Sequence, residues 1–227
     1  MSLKLLAAIG WGLILATLYL MAFILPLEEK VLGTSYLIFF YHFPSAINCL
    51  VFFGIAAVAS LKYLSSGSTR ADQIAVAAVE VGVLACTITL VTGSIWARAA
   101  WSVWWRWNDL RLMTVAIMWL TYLGYLALRS SVASHVTRAR YSAIFAVVAM
   151  VNVPLVWFAP RIIKLSHPKQ NDFEFVGEGR AQFQFTMWFG AGAFLVFYLA
   201  VMLLRARVAR LEDEGEELAE RLIAEGL

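Results

Sequence analysis

Two kinds of residue in this chain could do chemistry: its three histidines and an unusual run of tryptophans. His42 stands in Phe40-Tyr41-His42-Phe43-Pro44, His167 in Leu165-Ser166-His167-Pro168, and His135 in a basic stretch. Between Trp96 and Trp107 lie five of the chain's nine tryptophans: Trp96, Trp101, Trp104, Trp105 and Trp107. An imidazole nitrogen is the commonest protein ligand for a metal. An indole offers a broad apolar face with a single N–H that needs a partner, so it is costly in water and awkward deep in lipid. Together these side chains suit a large, flat, apolar ligand that carries a metal. Trp alone suits an anchor at the membrane edge.

The elements that must position them are membrane spans. The chain is 62% hydrophobic and only 15% charged, against ~25% charged for an average soluble domain. Its apolar residues fall in blocks of about 20, the length that a bilayer core of ~30 Å demands of a helix. The runs are continuous rather than alternating, which argues against a β-barrel. The expected fold is therefore all-α: an integral membrane protein of six transmembrane helices with an external Trp-rich amphipathic segment. The spans read as Leu5–Leu25, Ser45–Leu64, Ile74–Ile95, Leu112–Leu128, Tyr141–Phe158 and Thr186–Leu204. They form one membrane domain over 1–204, with the Trp segment at 92–114 and a helical tail over 205–227. The first run is too long for a signal-peptide core and ends at Pro26 without an A-x-A site, so it reads as a retained span. The formal net charge of +3 is too small to suggest nucleic acid.

Orientation follows from the basic residues. Lys4, Lys62, Arg70, Arg129, Arg138, Arg140, Arg205, Arg207 and Arg210 flank one set of span ends, which the positive-inside rule places in the cytoplasm. Connections one, three and five go outside. Arg98, Arg106, Arg111, Arg161 and Lys164 lie there against the rule, which suggests a task for them. With six spans, parity puts His42, the Trp segment and His167 on one side, and His135 on the other as a solvated loop residue. On a helical reading of the segment, Ala97, Trp101, Trp104, Trp105 and Asn108 share a face, opposite Arg98, Ser102, Arg106 and Asp109.

That assembly matches a haem, a flat apolar disc with two carboxylates at one edge and an iron that takes axial nitrogen ligands. His42 and His167 could reach the iron, indoles could line the disc, and Arg98, Arg106 and Arg111 could meet the propionates. Each part also has a plainer reading. The tryptophans can be an aromatic belt, His42 a helix-end hydrogen bonder, and His167 a loop residue. Cys49 and Cys86 sit within spans, form no CxxC pair, and read as packing residues. Glu80, near the cytoplasmic end of span three, reads as protein-facing, and Asn48 and Asn152 as amides bonding between helices. The acidic stretch Glu212–Glu220 reads as solvated, with Leu211, Leu218 and Leu222 as a weak docking pattern. There is no Walker sequence, HExxH or GxSxG, so an ATP-driven step would need another subunit.

Thr92-Gly93-Ser94-Ile95-Trp96 followed by Trp101-Ser102-Val103-Trp104-Trp105-Arg106-Trp107-Asn108-Asp109-Leu110-Arg111-Leu112 resembles the tryptophan-rich WWD signature of haem-handling proteins in cytochrome c biogenesis. Among these the chain is most similar to the CcmC family of haem exporter C proteins. Its length, six spans, His42-Phe43-Pro44-Ser45-Ala46-Ile47 and Val151-Asn152-Val153-Pro154 all fit that family. The resemblance implies that His42 and His167 ligate haem iron, and that Trp101, Trp104, Trp105, Trp107 and Asp109 stand at the platform positions. It implies a transiently bound b-type haem at the outer face of a bacterial inner membrane. It further implies delivery to the haem chaperone CcmE, and a complex with the ABC subunits CcmA and CcmB and the small protein CcmD. The family pattern is Trp-Trp-x-Trp-Asp-x-Arg-Leu-Thr, whereas here Asn108 takes the acid's position and Asp109 follows one residue late. A one-residue shift on a helix turns a side chain by about 100°. No nucleophile–base pair suggests an enzyme. Two other classes stay open on the residues alone: a membrane b-type cytochrome for electron transfer, and a cofactor-free transporter or assembly subunit.

Overall fold

A computed structural model describes residues 2–25, 29–30, 32–162, 174–175 and 179–225. Its helices are α1 Leu3–Phe23, α2 Phe39–Ser66, α3 Thr69–Trp101, α4 Leu110–Ser131, α5 His135–Ala149, α6 Asn152–Ile162 and α7 Gly179–Ala224. Among the described residues, six stretches are long and apolar enough to cross a membrane, α5 and the start of α6 counting as one.

The antiparallel pair α2 and α3 forms the centre. α2 ends at Gly67 in the left-handed region (φ 66°), and Ser68 opens α3. The seam between them is close because small residues line it. A Cβ on Gly82 would stand 2.6 Å from the Phe53 ring, a distance no real Cβ tolerates. Phe53 in turn stacks on Tyr122 of α4 at 3.6 Å between centroids, and Phe52 meets Tyr198 of α7 edge-on. Asn48 donates to the carbonyls of Pro44 and Ala191, 2.8 and 3.1 Å away, tying α2 to α7. Cys49 and Cys86 are free thiols in this same buried core. α1 lies outermost, with Trp11 edge-on to Phe197 of α7.

Four expectations are corrected. Span two begins six residues earlier than Ser45, because a 3-10 turn over Thr34–Ile38 runs straight into α2 and carries it through Pro44. Span five is a broken helix, interrupted at Met150–Val151. Pro154 falls in the first turn of α6, where a missing N–H costs nothing, and Asn152 donates to Thr121 of α4 at 3.4 Å. His135 is the first residue of α5 rather than a solvated loop residue, and its Nε2 lies 3.1 Å from Asp213 Oδ1, at ion-pair distance. The acidic stretch is not simply solvated either. Asp213 also accepts from Gln73 at 2.8 Å, and Glu216 accepts from Arg138 at 2.8 Å.

This end of the bundle is knitted by charge. Asp72 and Arg129 form a bidentate pair at 2.9 and 2.6 Å, both side chains largely buried. Arg205 joins Glu80 to Glu212 at 2.5 and 3.0 Å, so Glu80 is protein-facing. At the other end, connections one and five meet. Buried Glu29 accepts from the backbone N–H groups of Leu32 and Glu174 at 2.7 and 2.8 Å, and Phe175 packs on Tyr36 and Phe183.

Candidate functional site

The decisive side chain is His42, in the second turn of α2. Its Nδ1 lies 3.1 Å from the Thr89 carbonyl oxygen and 3.2 Å from Thr92 Oγ1, both on α3. The Thr92 hydroxyl donates its own proton to the Ile88 carbonyl at 2.6 Å, so towards His42 it offers a lone pair. Two acceptors at Nδ1 fix the proton there, which puts the ring's lone pair on Nε2. Gly93 makes room for the ring: a Cβ at that position would lie 2.9 Å from His42 Cε1 and 3.3 Å from Nδ1. The histidine expected in an external connection is therefore seated in a helix–helix seam, in an orientation set by α3. Thr89, Thr92 and Gly93 were not given this role by sequence reasoning. The signal was the Thr92-Gly93-Ser94 stretch, since a glycine and a hydroxyl facing a neighbouring helix permit close approach.

His42 borders an apolar cleft whose walls come from α2, α3, α4, α6 and α7, and which Trp105, Arg111, Val115, Trp157 and Trp188 also line. Its volume is about 170 Å³, below the ~300–1,000 Å³ of sites that enclose a drug-sized ligand. A large flat ligand bound here stands partly outside. Trp105 Nε1 is buried and has no hydrogen-bond partner among the described residues. Phe43 and Trp188 meet edge-on at 5.5 Å.

The Trp segment is not one amphipathic helix. α3 stops at Trp101, where Ser102 turns into the left-handed region (φ 59°), and residues 102–109 form a loop. Ser94 holds that loop back against α3 by donating to the Trp104 carbonyl at 2.9 Å. The tryptophans consequently divide. Trp96 is buried edge-on against Trp101, Trp105 lines the cleft, and Trp104 and Trp107 are exposed. The arginines divide too. Arg98 donates to the Ser102 carbonyl at its own helix end, Arg106 sits 4.2 Å over the Trp101 ring, and of the three only Arg111 lines the cleft.

Asp109 is buried and caps α4, accepting from the N–H groups of Arg111 and Leu112 at 3.0 and 3.3 Å, while Asn108 is exposed. This accounts for Asp-x-Arg-Leu as a unit: the acid satisfies the first free donors of the helix that follows it. His167 lies outside the described residues.

Comparison with known proteins identifies the family. The family model described as CcmC, Heme exporter protein C, matches residues 1–221. The chain belongs to the CcmC family. It is 35% identical over 127 residues to Heme exporter protein C of Bradyrhizobium diazoefficiens, covering 56% of this chain and 48% of that one. It is 29% identical over 182 residues to the Paracoccus denitrificans protein of the same name, covering 79% and 75%. To that of Escherichia coli it is 30% identical over 127 residues, covering 56% and 51%. The chain thus spans about half the length of several CcmC relatives it matches.

Proposed function

We propose that this CcmC-family chain binds haem at the cleft beside His42 and passes it on during c-type cytochrome maturation, as a haem-binding and transfer subunit rather than an enzyme. The observation that carries this reading is the seating of His42, with its ring orientation set by two α3 acceptors at Nδ1, at the edge of an apolar cleft lined by indoles. The donor set fits haem: an imidazole for the iron, Trp105 and Trp188 for the macrocycle, Arg111 for a propionate. Trp105 Nε1, buried without an acceptor among the described residues, fits a ligand with an oxygen acceptor. His167 is the second axial ligand in this proposal, carried from the family resemblance alone. Trp104 and Trp107 supply the exposed rim.

The small size of the cleft supports transfer over storage, since a disc that stands partly outside leaves without unfolding its host. The recipient is a CcmE-type haem chaperone, and CcmA, CcmB and CcmD complete the complex. The Trp-bearing end faces outward from a bacterial inner membrane. A b-type cytochrome would need histidines on facing helices. Among the described residues the cleft presents only His42, and His135 lies at the opposite end of the bundle.

Haem titration of the purified chain tests the proposal. The wild type is expected to give a Soret band that shifts and weakens on His42→Ala and on His167→Ala. An unchanged spectrum in both variants refutes it.

A further inference from the structure

At the end of the bundle opposite His42, a groove runs between the start of α3 and the middle of α7. Its inner walls are Ile74 and Leu203, next come Arg70, Arg207 and Arg210, and Glu214 and Glu217 stand furthest along α7. The order of charge follows from helix direction. Ile74 and Leu203 belong to the apolar spans, the arginines are among the first charges beyond them, and the acids lie about one to three turns further along α7 than Arg207 and Arg210. Of the three arginines, Arg210 is paired with Glu214 at 2.7 Å. Arg70 and Arg207 are exposed and have no carboxylate at ion-pair distance among the described residues. Elsewhere at this end, Arg129, Arg138 and Arg205 have one, whereas exposed Arg140, which does not line the groove, has none among the described residues.

We infer that this groove is a binding site for a zwitterionic phospholipid of the phosphatidylethanolamine class, whose primary ammonium, unlike a choline, keeps N–H donors for the two carboxylates. An anionic phosphate at headgroup depth meets Arg70 and Arg207. The ammonium, which lies further from the acyl chains than the phosphate, reaches Glu214 and Glu217, and one acyl chain lies along Ile74 and Leu203. Cations inside and anions outside reproduce the headgroup's own order with the signs reversed. A lipid that is only anionic would leave its outer end against carboxylates.

The test is native mass spectrometry of the full chain released from nanodiscs of equimolar phosphatidylethanolamine, phosphatidylglycerol and phosphatidylcholine. The expected result is selective retention of phosphatidylethanolamine. In Arg70→Gln/Arg207→Gln retention should fall about thirtyfold, at roughly fivefold for each arginine at a membrane surface. In Glu214→Gln/Glu217→Gln the preference should move to phosphatidylglycerol. All four positions are on the surface, and an unchanged melting temperature confirms folding of the variants. Retention of phosphatidylglycerol over phosphatidylethanolamine by the wild type, or retention unaffected in the double arginine variant, overturns the inference.

Discussion

Replacing Gly93 with alanine tests the seating of His42 by the smallest available change. The added methyl would lie 2.9 Å from His42 Cε1 and 3.3 Å from Nδ1. Ordinary contact begins near 3.4 Å, so ring and helix must part by at least 0.5 Å (3.4 − 2.9). The Nδ1 distances to Thr89 and Thr92 are 3.1 and 3.2 Å, and the same displacement along them takes both beyond ~3.5 Å, where the bonds no longer count. Loss of the groups that orient a metal-binding imidazole costs about 10–100-fold in affinity. Gly93→Ala is therefore expected to weaken haem binding by at least about tenfold and to alter the Soret band. In the same helical context Gly54→Ala, which meets nothing within 4 Å, should keep wild-type binding and gain up to ~1 kcal/mol of helix stability. Optical titration in detergent or nanodiscs measures both. Wild-type affinity and spectrum in Gly93→Ala would refute the assignment of His42's orientation to α3.

Further expectations concern the supports of the site and the far end of the bundle. Asp109→Ala should cost about 1 kcal/mol through the lost cap on α4, whereas Asp109→Asn should retain most of it and Asn108→Ala should be silent; thermal unfolding compares the three. Trp105→Phe should weaken haem binding more than Trp104→Phe, since Trp105 lines the cleft and Trp104 is exposed outside it; equal losses would favour a plain membrane anchor. Arg129→Leu leaves Asp72 buried and unpaired and should destabilise by about 3–5 kcal/mol, with Asp72→Leu/Arg129→Leu recovering much of the loss, read by unfolding in mixed micelles.

The spans were legible because apolar blocks of membrane length are a coarse signal that survives local detail. The breaks and ends were not, because short-range chemistry decides them. The apolar block reads as starting at Ser45, yet the 3-10 turn over Thr34–Ile38 leads into an α2 that begins at Phe39. The tryptophan spacing suggests a continuous helical face, but Ser102 adopts φ 59° and Ser94 ties the following loop back. Which arginine lines the cleft likewise depends on where that loop turns. Arg98 and Arg106 are drawn to the end of α3 and to Trp101, leaving Arg111 beside the cleft. The charge links of the tail were hidden because Gln73 and His135 are 140 and 78 positions from Asp213 by number (213 − 73 and 213 − 135), and no local pattern joins such distant residues.

The interruption at Met150–Val151 divides the work of the cleft between separate pieces of chain. Val156 and Trp157 of its wall come from α6, beyond the break, whereas the groups that orient His42 come from Thr89 and Thr92 of the unbroken α3. A substitution at the break therefore bears on the wall of the cleft and leaves the imidazole's own partners in place.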